Sequence, residues 1–334
     1  MWRNLKAVLA VKATDNFKLL LDYIYRGEEE LTLKASAMTV IAPFDPWKGP
    51  LCTCPPKYSF SAYTGCTHAC LYCYISSYIP RPFECRAKRR LIERLLRELR
   101  KVNPDLHISI ANSSDPYPPV EANLELTRRA LRELLSRGYK VQLITKSDLV
   151  VRDLDLIRSG NCSVSITVTT LDEKLANKLE PLAPSPKRRI KALETLVRGG
   201  VPCSARLDPI IPGINDEGVE KLVKSIAKAG VSHVVSSTYK AKVDSFERVV
   251  KAYPKLRERL YELYWSKGVR IGRSRLLPRK VRYNLLKYVK ELVEENGMTF
   301  ATCREGLPSL QSGETCDGSH LIPNRRAQPR LTLF

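Results

Sequence analysis

Three cysteines, Cys66, Cys70 and Cys73, lie within eight positions of this 334-residue chain, at the spacing C-x3-C-x2-C. Three thiols this close cannot pair evenly as disulfides, whereas thiolates are soft ligands that suit zinc and iron–sulfur clusters. A structural zinc ion takes four protein ligands. A four-iron cluster held by three cysteines leaves one iron open to an outside ligand. The spacing therefore favours an iron–sulfur cluster, with zinc as the alternative.

An α/β fold is expected to position this cysteine loop, because strand-like and helix-like segments alternate from residue 58 to residue 240. Six βα units predict a parallel sheet with helices outside it. Without a seventh and an eighth unit, the sheet should form an open, partial (β/α)6 barrel of the TIM type. Polar motifs follow several strands, and the carboxyl ends of parallel strands meet at one edge. We therefore expect separate strands to build one site there.

Three regions are expected: an N-terminal extension (1–57), the partial barrel (58–240), and a helical, basic C-terminal region with a cysteine-containing tail (241–334). The sequence contains no run of about 18 apolar residues that would suggest a membrane span. The first residues lack the long apolar segment of a signal peptide. We therefore expect a cytoplasmic monomer with reduced cysteines and no membrane partner.

The formal net charge is +21, from 56 lysines and arginines against 35 aspartates and glutamates. The positive charge is also clustered, since residues 267–282 include seven basic residues and no acidic one. Clustered positive charge of this size indicates a polyanionic partner, most simply nucleic acid. A charged surface that reflects only the cellular environment is the alternative.

The motif "GCTHACLYCY" follows the first predicted barrel strand and resembles the C-x3-C-x-aromatic-C signature of the radical S-adenosylmethionine (SAM) superfamily. The resemblance implies that Cys66, Cys70 and Cys73 bind a [4Fe–4S] cluster whose open iron chelates SAM. It also implies reductive cleavage of SAM to a 5′-deoxyadenosyl radical, which abstracts hydrogen from a substrate. Such an enzyme needs an electron donor such as ferredoxin or flavodoxin.

Between residues 58 and 240 the chain further resembles the spore-photolyase-like group, through the stretches "ISIANSSDPYPPVEANLELT", "ITKSDLVVRDLDLI" and "ARLDPIIPGIND". The resemblance implies SAM contacts for several residues of these stretches and of the cysteine loop. They are Tyr72 near the adenine, Ser113, Ser114 and Asp115 at the methionyl amino group, Lys146 near the carboxylate or ribose, and Arg206 at the carboxylate.

One position departs from the group's pattern. Spore photolyases have a cysteine in a C-T-S-D stretch that returns hydrogen to the substrate radical, whereas this chain has "NSSD", with Asn112 in the thiol's place. An amide is a poor hydrogen-atom donor, so thymine-dimer repair is disfavoured. Tyr117, Cys162 and Cys203 are candidate substitutes, although strand cysteines are usually small core residues.

Four further cysteines lie outside the barrel: Cys52 and Cys54 before it, and Cys303 and Cys316 in the tail. Four thiols are the number that a closed zinc site or an additional iron–sulfur cluster needs. The two pairs are distant in sequence, so the site requires the tail to fold back over the barrel entrance. We expect a second metal site if it does, and four unrelated reduced cysteines otherwise.

Together these features predict a radical SAM enzyme that acts on nucleic acid, by base modification or by lesion repair, with basic helices binding the phosphates. A base within a duplex would have to be extruded into the barrel mouth, whereas single-stranded or loop RNA presents its bases more readily. One alternative is a radical SAM enzyme for a peptide or small metabolite. Another is a non-enzymatic module that binds metal or nucleic acid.

Overall fold

Seven parallel strands and one antiparallel edge strand form the central sheet of the computed structural model, which describes residues 39–44, 49, 51–110 and 113–325. The strands in chain order are β1 (Ile41–Pro43), β2 (Tyr58–Phe60), β3 (Tyr63–Thr64), β4 (Arg86–Ala87), β5 (Ile108–Ile110), β6 (Val141–Thr145), β7 (Cys162–Thr167), β8 (Cys203–Ile210), β9 (His233–Thr238), β10 (Val269–Ile271), β11 (Ser274–Leu276) and β12 (Thr299–Thr302).

The sheet order is β1–β2–β5–β6–β7–β8–β9–β12, and every neighbouring pair except β1 and β2 is parallel. All residues of β5, β7 and β9 are buried, as expected for parallel strands that are covered on both faces. The sheet confirms the predicted α/β class and the partial barrel. Strand β12 extends it by one parallel strand that the sequence pattern did not predict, because four residues carry too little periodicity.

Helices cover the sheet between successive strands. They are α1 (Leu91–Leu99), α2 (Glu121–Leu124), α3 (Leu126–Leu135), α4 (Leu154–Ser159), α5 (Glu173–Leu179), α6 (Pro186–Arg198), α7 (Val219–Lys228), α8 (Val243–Ala252), α9 (Arg257–Tyr261) and α10 (Arg279–Glu295). Most bury an apolar stripe at helical spacing; in α1 it is Leu91, Leu95 and Leu99. No helix in the described ranges is long and apolar enough to cross a membrane.

The cysteine loop leaves β2 and is closed at its base by a small hairpin. Strand β3 pairs with β4, so residues 65–85 form a loop with joined ends. Gly65 at its start has a φ of +75°, and a Cβ there would lie 2.2 Å from the carbonyl oxygen of Glu84. Only glycine fits this turn without displacing the returning strand.

Candidate active site

A cavity of about 340 Å³ lies at the carboxyl ends of the parallel strands. The loops after β2 and β5 and the ends of β6, β7, β8, β9 and β12 all contribute to its wall. Motifs that follow separate strands therefore meet at one site, as predicted. Its polar, aromatic and sulfur-containing lining residues include Cys52, Cys54, Lys57, Cys66, His68, Cys70, Tyr72, Cys73, Tyr74, Ser113, Ser114, Asp115, Lys146, Arg206, Asp208, Lys240, Lys242, Cys303, Arg304 and Asp317.

All three cysteines of the C-x3-C-x2-C motif line this cavity. The backbone N–H of Cys66 donates to the carbonyl of Pro82 at 2.8 Å, which fixes the start of the motif. Its end is fixed by Arg248 of α8, whose guanidinium donates to the carbonyls of Leu71 at 3.1 Å and Cys73 at 2.9 Å. The three thiols are therefore held on one wall by contacts to their backbone, which leaves the sulfur atoms available as ligands.

The thiols lie in a desolvated environment. Burial raises the pKa of Cys66 to about 12 and also raises the pKa values of Cys70 and Cys73. In the metal-free chain these groups are thiols at neutral pH. The positive charge of Lys146 acts to lower the pKa values of Cys70 and Cys73, but burial has the larger effect. A bound metal would supply the positive charge that thiolate formation needs here.

Tyr72, the aromatic residue of the motif, belongs to a buried charged network. Its hydroxyl donates to the carboxylate of Glu180, and Glu180 forms an ion pair with Arg189 at 2.5 Å. The Nζ atom of Lys146 lies 5.7 Å from the centre of the Tyr72 ring. Burial would raise the pKa of Glu180, but Arg189 and Lys146 hold it below its usual value. The predicted contact of Tyr72 with adenine stays a prediction.

Ser113, Ser114 and Asp115 line the cavity, where the family resemblance places the methionyl amino group. The hydroxyl of Ser114 donates to the carbonyl of Gly65 at 2.6 Å, and Asp115 lies 3.5 Å from His68 in the cysteine loop. These two residues thus join the loop after β5 to the cysteine loop. Their predicted role toward SAM stays a prediction.

Arg206, predicted to bind the SAM carboxylate, already has a carboxylate partner. Its guanidinium donates to Asp208 at 2.7 Å, and the other oxygen of Asp208 accepts from Ser237 at 2.5 Å. Burial would raise the pKa of Asp208, but Arg206 and Lys240 hold it low. The cavity wall therefore carries a fixed ion pair at this position.

The predicted hydrogen donors do not lie on the cavity wall. Tyr117 is buried and donates to Asp153 at 3.1 Å, and Cys162 and Cys203 are buried in the hydrophobic core. These positions give no support to Tyr117, Cys162 or Cys203 as a hydrogen donor to substrate. Asn112 lies outside the described residues.

The four outlying cysteines come together, as the second-site prediction required. The Sγ atoms of Cys54 and Cys316 are 3.5 Å apart, and Cys52 and Cys303 line the cavity beside Cys54. Among the described residues, no three side chains of His, Cys, Asp or Glu converge on one metal-ion position. This finding gives no support to a zinc ion at these cysteines, because zinc needs its ligands around a single point. The predicted second metal site stays a prediction.

The sequence reasoning missed several residues of the site, among them Glu180, Asp208, Lys242, Arg248 and Arg304. Glu180 ends a predicted helix, and nothing in its local sequence separates a buried carboxylate from a solvated one. For Asp208 the local sequence does contain a clue. Asp208 stands two residues after Arg206 on the same strand, and side chains at this spacing point to the same face of a sheet.

A family model of the radical SAM superfamily matches residues 60–226, half of the chain. An uncharacterized protein of Methanocaldococcus jannaschii is 33% identical over 172 residues, which cover 48% of this chain and 62% of that protein. A radical SAM Nα-GlyT isomerase of Pseudomonas phage M6 is 22% identical over 253 residues, 72% of this chain and 52% of the isomerase. The chain thus spans less than two thirds of the length of either relative.

Solved structures of spore photoproduct lyase share the fold. A point mutant of that enzyme gives a TM-score of 0.59 at 18% identity, covering 73% of this chain and 75% of that chain. A double mutant with bound AdoMet and dinucleoside spore photoproduct gives 0.57 at 17% identity over the same shares. On the family model, the cysteine motif and this fold, the chain belongs to the radical SAM superfamily and has a spore-photolyase-like fold.

Proposed function

We propose that this radical SAM enzyme removes a hydrogen atom from a nucleic acid and thereby modifies a base. The observation that carries the proposal is a cavity lined both by the three motif thiols and by aromatic and cationic side chains. The exposed Tyr74 directly follows Cys73, and Lys240, Lys242 and Arg304 line the same cavity. The thiols proposed to hold the cluster and the residues proposed to bind a nucleic acid thus line the same cavity.

Membership of the superfamily implies a [4Fe–4S] cluster and SAM, and the residues of the cavity fit both. Cys66, Cys70 and Cys73 supply three soft donors, one fewer than the irons of the cluster. Lys146 provides a positive charge beside them. When bound, the cluster and SAM supply a 5′-deoxyadenosyl radical, which takes a hydrogen atom from the substrate. The chain's own residues hold the loop, desolvate the thiols and exclude water.

Two tyrosines of the cysteine loop, Tyr74 and Tyr78, form an aromatic pair. Tyr74 lines the cavity and is 38% exposed, and Tyr78 is 41% exposed. Their rings stack with centroids 6.0 Å apart and an interplanar angle of 28°. Exposed aromatic rings at the mouth of a cavity are platforms on which unpaired bases stack, at about 1–3 kcal/mol per base.

Positive side chains surround the same opening. Lys240, Lys242 and Arg304 line the cavity, and Arg273 lies near Lys242. Burial lowers the pKa of Lys242, Asp244 acts to raise it, and Arg273 and Arg304 act to lower it. Lys240 is paired with Glu305 at 2.8 Å. A cluster of cations at a cavity attracts anions, and a phosphate group bound there would reduce the repulsion among them.

A solved structure with this fold supports a nucleic-acid substrate by what it binds. That structure, of a spore photoproduct lyase, contains a dinucleoside spore photoproduct. Asn112 replaces the hydrogen-donating cysteine of the spore photolyases. This replacement favours base modification over dimer repair.

Binding of short single-stranded DNA and RNA across a salt series tests the substrate class. In a double variant with Arg273→Ala and Arg304→Ala, the slope of log K against log[salt] should become shallower by about 1.4, since each lost phosphate contact removes about 0.7. The matched control replaces Lys221 and Lys228, two exposed lysines of α7, with alanine.

An unchanged slope in the Arg273 and Arg304 variant, or an equal change in the control, would contradict a phosphate site at the cavity mouth. If both nucleic acids bind no more tightly than an anionic polymer such as heparin, and a peptide substrate yields 5′-deoxyadenosine, the alternative of a peptide-modifying enzyme is correct.

A further inference from the structure

Four cysteines from distant parts of the chain meet beside the cavity. Cys52 and Cys54 precede β2, Cys303 directly follows β12, and Cys316 lies in the tail. The Sγ atoms of Cys54 and Cys316 are 3.5 Å apart, well beyond the bond length of about 2.05 Å that a disulfide would have. The thiol of Cys52 is hydrogen-bonded to Cys54, and Cys303 interacts electrostatically with Cys54. Cys54 is thus the centre of a group of four reduced thiols.

Other residues fix the backbone that carries these thiols. Asp317, next to Cys316, forms an ion pair with Lys57 at 2.5 Å, and its carbonyl accepts from Gln142 of β6 at 2.6 Å. The backbone N–H of Cys303 donates to Ser236 of β9 at 2.9 Å. The tail and the segment before β2 are therefore attached to the rigid sheet, as a preformed ligand set requires.

The charge around the four thiols suits a group with thiolate ligands. Lys57 lies near Cys52 and Cys54, and Arg206 donates a hydrogen bond to Cys303. Both cations also form ion pairs, Lys57 with Asp317 and Arg206 with Asp208. Positive groups and hydrogen bonds to sulfur are features that stabilise a metal–thiolate centre.

The spacing of the thiols favours a cluster over a single metal ion. No three ligand side chains among the described residues surround a single ion position, and this holds equally for Cys66, Cys70 and Cys73. An iron–sulfur cluster distributes its cysteine ligands over two or four irons, so the sulfurs need not converge on one point. We propose that Cys52, Cys54, Cys303 and Cys316 bind a second iron–sulfur cluster whose irons are all ligated by protein.

The second cluster does not depend on the substrate or on SAM chemistry. A cluster with four cysteine ligands leaves no iron open, so it would not bind SAM. Three of its ligands line the same cavity as Cys66, Cys70 and Cys73. The second cluster would therefore form part of the wall that the substrate contacts.

The test is anaerobic reconstitution of the full chain with ferrous iron and sulfide, followed by counts of iron, sulfide and zinc. The proposal predicts six or eight irons per chain in the unaltered protein. The C66A/C70A/C73A variant should retain two or four irons, and its reduced form should give an iron–sulfur electron paramagnetic resonance signal. A C303A/C316A variant should retain four. Cys85→Ala, a half-buried cysteine outside both sets, serves as the matched control and should retain the full count.

An iron-free C66A/C70A/C73A variant that still unfolds cooperatively would overturn the proposal, as would one zinc per chain in place of iron. A count of free thiols in the protein without added metal is a further test. Two fewer thiols than cysteines would also overturn the proposal and would indicate a Cys54–Cys316 disulfide instead. The C66A/C70A/C73A variant keeps the test decisive if C303A/C316A fails to fold, because all four proposed ligands are intact in it.

Discussion

The carboxylate of Asp115 accepts a hydrogen bond from the backbone N–H of Lys146 at 2.8 Å, which joins the loop after β5 to the end of β6. Its other oxygen accepts from Thr145 at 2.6 Å and from the backbone N–H of Tyr117 at 2.9 Å. Asp115 also faces His68 in the cysteine loop. One buried carboxylate thus connects the cysteine loop with two strand ends, and it orients the lysine that lies above Tyr72.

The variant Asp115→Asn should lower the free energy of unfolding by about 1–3 kcal/mol. Its amide N–H group replaces a carboxylate oxygen, so at least one hydrogen-bond donor loses its acceptor. It should also retain less iron at the motif cysteines after reconstitution and gel filtration. Chemical denaturation and an iron count measure the two effects. The control is Asp148→Asn, which removes the negative charge from a more exposed ion pair with Arg188. It should change the free energy of unfolding by less than about 1 kcal/mol. Equal effects of the two variants would refute the role of Asp115.

Glu180→Gln should be strongly destabilising. Glu180 and Arg189 are both almost completely buried, and the substitution leaves the guanidinium without its counter-charge. Removing one partner of such a pair costs about 3–5 kcal/mol, measurable as a lower denaturant midpoint. Glu194→Gln, which breaks the surface pair with Lys191, should cost less than about 1 kcal/mol. A loss below about 1 kcal/mol for Glu180→Gln would show that Arg189 finds another partner.

Stability should fall as the pH drops from about 6.5 toward 4, partly because of His233. Burial, with repulsion from His320, lowers the pKa of His233 to about 4. The unfolded chain binds this proton near pH 6.5. The contribution of neutral His233 to the free energy of unfolding is therefore fully present above pH 6.5. It is lost as the pH falls toward 4, and the loss is about 2 kcal/mol at pH 5.

The measurement is denaturant unfolding of the unaltered chain and of His233→Gln at pH 7 and pH 5. The variant should lose less stability between the two pH values than the unaltered chain. Parallel losses would mean that other groups carry the pH dependence.

Tyr74→Ala and Tyr78→Ala should each weaken binding of single-stranded oligonucleotides by about 1–3 kcal/mol, without changing the salt dependence, because stacking is not ionic. Fluorescence anisotropy at several salt concentrations separates the two contributions. Tyr288→Ala, an exposed tyrosine of α10, is the matched control. If Tyr288→Ala weakens binding as much as the Tyr74 and Tyr78 variants do, the two tyrosines of the cysteine loop have no special role.

Local patterns in the sequence were enough for the main features of the fold. The alternation of strands and helices predicted the parallel sheet, because each element imposes its own periodicity over several residues. The spacing of Cys66, Cys70 and Cys73 identified the motif for a related reason, since nearby residues on one loop stay close in space whatever the rest of the chain does.

Contacts between distant segments could not be predicted in the same way. The pair formed by Tyr72 and Glu180 and the meeting of Cys54 with Cys316 depend on where whole elements pack. The choice between zinc and a cluster at the outlying cysteines could not be made from the sequence, because the sequence counts thiols but does not show how they are arranged. Strand β12 was missed because its four residues join the sheet through backbone pairing with β9, which leaves little trace in side-chain type.

The most direct test of the proposed function follows hydrogen from substrate to cofactor. Reconstituted protein is incubated anaerobically with SAM, dithionite and either DNA or RNA that carries deuterium at its carbon-bound positions, and the mass of 5′-deoxyadenosine is measured. The C66A/C70A/C73A variant serves as the control and should form no 5′-deoxyadenosine. We predict 5′-deoxyadenosine that contains deuterium with at least one of the two nucleic acids. Formation of 5′-deoxyadenosine without deuterium from either one would contradict abstraction of hydrogen from a nucleic acid.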